Sequence, residues 1–180
     1  MKTFNPIRLT QARLWNDFSL DYLAGLIHIT GASINLYEKG KRKPDNEIQL
    51  KLANALDFPI DFFYTPSKDT SFCAISYRKK ANTRKIGKQR AELLKQFSFE
   101  FIELLSSYVS FKESSLMPQD IEYDTLQNDD IEKIAQDVRQ SLHAGNAPIQ
   151  NLMTFLENRG AFIFLYNNEI TPVDGFSCIN

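Results

Sequence analysis

The chain has 180 residues, of which 43% are apolar and 24% charged, the balance of an ordinary soluble globular protein with room for one large domain or two small ones. No apolar run is long enough to span a bilayer, and Met1-Lys2-Thr3-Phe4-Asn5-Pro6 lacks the apolar core of a secretion signal. A cytoplasmic location without a membrane partner is therefore expected. The net charge of −1 conceals an asymmetry: residues 1–110 hold 17 Lys and Arg against 11 Asp and Glu, residues 111–180 hold 4 against 11. The front could approach a polyanion that the back would repel.

Residues 7–65 read as a string of short helices. Pro6 suits a first helical turn, and a helix extends from Ile7 to about Asn16. Ser19, Thr30 and Asp45 are N-cap residues for a second, third and fourth helix. The inward residues are Leu23, Ala24 and Ile27, then Ile34 and Tyr37, then Ile48, Leu52, Ala53 and Leu56. Gly40 stops the third helix ahead of a basic turn, Lys41-Arg42-Lys43-Pro44, and Pro59 opens a last turn that buries Phe62 and Phe63. Helices this short depend on a shared core.

Residues 66–81 read as irregular. A long helix follows over about 83–108, with Leu93, Leu94, Phe97, Phe101, Leu104 and Leu105 as its apolar positions. Residues 110–128 form an acidic connection. Helices are expected over 129–143 and 148–158, then a strand at Ala161–Tyr166 and a second short strand around Val173–Ser177.

Residues 19–44 carry the functional signal. They read SLDYLAGLIHITGASINLYEKGKRKP, two short helices around a tight turn at Ile27-His28-Ile29-Thr30, with a narrow residue, Ala24, where the second crosses the first. A helix-turn-helix holds its recognition helix out for the major groove in this way.

These residues closely resemble the phage-repressor helix-turn-helix (XRE) family. Leu23-Ala24, Ile34, Tyr37-Glu38, Gly40 and Pro44 stand at the family spacing, and the likeness continues through Leu52-Ala53-Asn54-Ala55-Leu56 and Phe62-Phe63. It implies a lambda-repressor-like five-helix domain, and an ion pair between Arg13 and the Glu38 that ends the recognition helix. Three positions depart from the pattern. Leu20 stands where a phosphate-binding Gln is common, and Gly31 and Ala32 stand where long polar side chains usually read bases.

The candidate base readers are therefore Ser33, Asn35 and Leu36, with Gly31 and Ala32 allowing close backbone approach. Asn pairs with adenine through two hydrogen bonds, and Leu lies against a thymine methyl. The candidate phosphate contacts are Thr30, Lys39, Lys41, Arg42 and Lys43. The basic stretch from Arg78 to Arg90 is read first as a solvated helix start and second as a backbone contact. His28 replaces the usual turn Gly and is expected in a left-handed conformation. His28 and His143 lack the spacing of a zinc site or a triad, and Cys73 and Cys178 are isolated. No catalytic residue, metal or cofactor is implied.

The last third carries a second resemblance. IEKIAQDVRQSL, PIQNLMTFLENRGAFIFLY and the closing VDGFS look like the start of an ImmA/IrrE metallopeptidase domain, and FCAISYRKKANTRKIGKQRAELL looks like its usual connector. That family carries His-Glu-x-x-His further along, two zinc-ligand His and a Glu that activates water. The sequence stops at Asn180 without it, so the chain reads as no peptidase and as either a fragment or a natural truncation.

The expected fold is mostly α: a DNA-binding domain over 1–66, a helical connector over 67–128, and a small truncated α/β unit over 129–180. The expected function is a sequence-specific transcriptional regulator, a repressor, of a bacterial or mobile-element system. Its partner is double-stranded DNA, bound as a homodimer, with 129–180 available to a protein partner. The alternatives are the front portion of a zinc-dependent peptidase regulator, or an interaction module with weakened DNA binding.

Overall fold

A computed structural model describes residues 3–68, 75–79, 85–116, 126–166 and 173–178. It is mostly helical and divides into two compact units, residues 1–101 with 167–180, and residues 102–166.

The first unit begins with four capped α-helices. Asn5 accepts the amide of Ile7 and Pro6 takes the first position of α1, Pro6–Trp15. Ser19 caps α2, Leu20–Leu26; Thr30 caps α3, Gly31–Glu38; Asp45 caps α4, Asn46–Leu56. A 3₁₀ turn, Ile60–Tyr64, completes the five. The ends of this segment meet, because the Asn5 amide donates to the Phe63 carbonyl at 2.7 Å and its side chain to the Thr65 carbonyl at 2.8 Å.

Leu9, Leu23, Ile34, Leu52, Leu56 and Phe63, all fully enclosed, form the centre of the core. Each comes from a different turn of the five pieces, so no piece buries its apolar face alone. At roughly 25 cal/mol per Å² this shared burial is the main favourable term. Buried Gln49 is satisfied on both sides, donating to the Pro44 carbonyl at 2.8 Å and accepting from the Tyr64 hydroxyl, as a buried amide requires.

The helix expected over 83–108 is α5, Lys85–Ser106. On its apolar stripe Leu93 and Leu94 are buried, whereas Phe101 and Leu104 are exposed. Residues 66–81 are not irregular throughout. Ile75–Lys79 forms β1, paired antiparallel with β2, Val173–Cys178, with a bulge between Arg78 and Lys79. The alternation Ile75-Ser76-Tyr77-Arg78 is the strand signal there, and its partner lies too far along the chain for local patterning to reveal.

In the second unit, α6 spans Asn128–Ser141 and α7 spans Leu152–Glu157. The second helix starts later than its apolar pattern suggests, because Asn151 takes the N-cap and accepts the amide of Thr154 at 3.1 Å. Arg139 and Arg159 close the ends of these helices. Arg139 donates to the carbonyls of Gly145 and Ala147, Arg159 to those of Leu142 and Phe155. Gly160, at φ +88, admits the backbone of Ser114 where a side chain would collide.

Ala161–Tyr166 is not a strand. Its apolar run has no ladder partner among the described residues, and a short apolar run without one has no reason to extend. No described residue of this unit is buried.

Candidate nucleic-acid interface

Helix α3 packs against α2, where Ala24 is buried. The turn between them needs one left-handed residue, and His28 supplies it at φ 58. Its neighbours hold the turn: Ile27 is buried, and the Ile29 amide donates to the Ala24 carbonyl at 3.0 Å. Ile34 and Tyr37 anchor the inner face of α3, which leaves positions 32, 33, 35 and 36 to the outside.

Ala32 is exposed, Leu36 is 38% exposed, and Ser33 and Asn35 are half-buried. The Asn35 side-chain amide makes no hydrogen bond among the described residues, so both of its hydrogen-bonding edges are available. Ser33 is tied into the cap, its hydroxyl 2.9 Å from that of Thr30 and its amide donating to the same Thr30 oxygen at 3.2 Å. The room beside Gly31 is occupied. A Cβ at that position would lie 2.1 Å from Oδ1 of Asp21. The glycine thus lets the Asp21 carboxylate lie over the first turn of α3, where the helix dipole favours a negative charge.

The far end of α3 is fixed by charge. Arg13 Nε lies 2.6 Å from Glu38 Oε1 and Arg13 Nη2 lies 2.9 Å from Oε2, a two-pronged pair with both side chains about nine-tenths covered. The third prong, Nη1, donates to the Phe18 carbonyl at 2.8 Å. Gly40, at φ +65, then turns the chain back, and the amides of Lys41 and Arg42 both donate to the Leu36 carbonyl. Lys39, Lys41, Arg42 and Lys43 emerge together and exposed at this corner, with the Arg42 guanidinium 5.9 Å from the Tyr37 ring. Leu20, standing where the family prefers Gln, packs against the core.

Lys80 and Arg84 of the second basic stretch, and Cys73, lie outside the described residues, as do the side chains at 78, 79 and 85. Two features escaped the sequence reading. One is Asp21, an acid whose carboxylate lies at the start of α3. The other is the polar contact between α1 and α5 taken up below. Neither has a local sequence signature, since each depends on which helices cross.

The helix-turn-helix family model matches residues 9–63, the segment that runs from α1 to the 3₁₀ turn. It supports an XRE-like domain and a DNA-binding regulator kind of function, and the matched family is a regulator domain, not an enzyme family. No curated protein and no solved structure matches the chain.

Proposed function

From the helix-turn-helix match over residues 9–63, we propose that this chain is a sequence-specific, double-stranded-DNA-binding repressor of a bacterial or mobile-element system, acting in the cytoplasm. Helix α3 enters the major groove with Asn35, Ser33 and Leu36 toward the base edges and Ala32 against the groove wall, while Gly31 faces the Asp21 carboxylate. Thr30, Lys39, Lys41, Arg42 and Lys43 hold the flanking phosphates. The observation that carries this reading is a capped, outward-facing α3 followed directly by four exposed basic side chains. The test is a gel shift of the full chain on genomic fragments across a salt series, with sequencing of the retained DNA. Steep weakening with salt and a recurring motif support the reading. Binding indifferent to salt, or no enriched sequence, would refute it and leave an interaction module.

A second observation favours a homodimer. Leu104, Tyr108, Val109, Ile131, Leu152 and Leu165 are each more than half exposed in a unit with no buried described residue. So much apolar surface is a binding surface or a liability, and a second copy covering it would bring two recognition helices to a two-fold operator. The likeness of residues 129–180 to the front of an ImmA/IrrE domain stands on its residues alone. Under that reading the same surface meets a protein partner.

A further inference from the structure

Within the first unit, α1 is held on two opposite faces. One face belongs to the recognition helix, through Arg13 and Glu38. The other belongs to α5. Arg8 is 2% exposed; its Nη2 donates to Glu100 Oε2 at 2.8 Å, its Nη1 to Gln11 Oε1 at 2.9 Å and its Nε to the Thr65 carbonyl at 3.4 Å. Nη2 also reaches the Pro66 carbonyl, and the guanidinium lies 5.0 Å from the Phe62 ring centroid. Gln11 passes the chain on, donating to Gln96 at 3.0 Å. At the other end of α1 the Trp15 ring packs 5.7 Å from Phe97, and the Trp15 carbonyl accepts from Arg90 at 3.0 Å. Residues 8, 11 and 15 share a face, and Arg13 lies roughly 140° round the helix from Arg8.

We propose that Gln96 and Glu100 of α5 are positioning residues for the recognition helix, acting through α1; this rests on the DNA-binding reading above. Helix α1 has ten residues and no stability of its own, so its place is set by what grips it. Glu100 is the counter-charge of a guanidinium otherwise surrounded by carbonyls, an amide and a ring. Without it the charge is buried and uncompensated, which is more costly than never having formed the pair. Arg8 then regains water only if the front of α1 lifts, and Arg13 lifts with it, loosening Glu38. A ligand or partner that drew α5 from α1 would weaken DNA binding by the same route.

The test uses the full chain with Glu100→Gln, which keeps shape and loses charge, Glu100→Asp, which keeps charge, and Gln96→Ala, which leaves the ion pair intact. DNA affinity is measured well below the melting temperature, and amide hydrogen exchange is followed in α3 and α4. For Glu100→Gln the expected results are about tenfold weaker binding and faster exchange at Ile34–Glu38, with α4 unchanged. Glu100→Asp recovers most of both, and Gln96→Ala shows a smaller loss in the same direction. Uniform acceleration through α3 and α4, or unaltered affinity of the folded protein, would reduce Glu100 to a stability role and overturn the proposal. Should Glu100→Gln fail to fold, the Gln96→Ala variant decides by the same two readings. Failure of the wild-type chain to bind DNA strikes the functional reading instead, and the exchange result still decides the coupling.

Discussion

The Asp21 carboxylate occupies the space that a side chain at position 31 would need, its Oδ1 2.1 Å from where a Gly31 Cβ would stand. A carboxylate here stabilises the start of α3 and, under the proposed docking, faces the incoming phosphates. Removing it by Asp21→Ala should tighten DNA binding at low salt by about twofold to fivefold, with the gain shrinking as salt screens the charge. Titrations at low and high ionic strength check this. Unchanged or weaker binding at low salt would mean the carboxylate lies away from the DNA path.

Asn35→Ala should cost roughly 1–3 kcal/mol on the selected site and little on random DNA. Competition titrations with both sequences measure the difference. Equal losses would remove Asn35 from base reading.

Lys41→Ala should weaken binding to all sequences alike and flatten the slope of log affinity against log salt by about 0.9, the share of one phosphate contact. An unchanged slope would make this corner a merely solvated turn.

Arg13→Met should destabilise the N-terminal domain by roughly 3–5 kcal/mol, because it leaves Glu38 covered and unpaired. Thermal melts followed by circular dichroism test it. A melting temperature equal to wild type would mean water already reaches the pair.

Light scattering on the full chain at tens of micromolar should report a dimer, and introducing charge by Ile131→Glu and Leu152→Glu together should shift it toward monomer. A monomeric wild-type chain would sink the two-fold operator model.

The helices of the first unit were legible because their boundaries are written locally. Ser19, Thr30 and Asp45 are caps whose side chains reach amides three residues on, and His28 marks the turn. The Arg13–Glu38 contact was legible only through family resemblance, since nothing in local spacing links helices twenty-five residues apart. Arg8, Gln11, Gln96 and Glu100 gave no such signal, for a polar residue on a helix reads as solvent-facing until another helix covers it. Ala161–Tyr166 misled for the opposite reason, because apolar content describes what a segment avoids and not what it pairs with.

The pairing of Ile75 with Cys178 and of Lys79 with Val173 also dictates an order of events during synthesis. Everything needed for the core around Leu9, Ile34 and Phe63 has been translated before β1 exists. The partner of β1 follows only after the whole intervening chain has been made, on the order of ten seconds later at ordinary elongation rates. For that interval the nascent protein presents a finished DNA-binding core beside a strand whose mate has not been made. Such an edge is open to neighbouring nascent chains, so slow elongation or crowded polysomes should favour mispaired ribbons while leaving the helix-turn-helix intact.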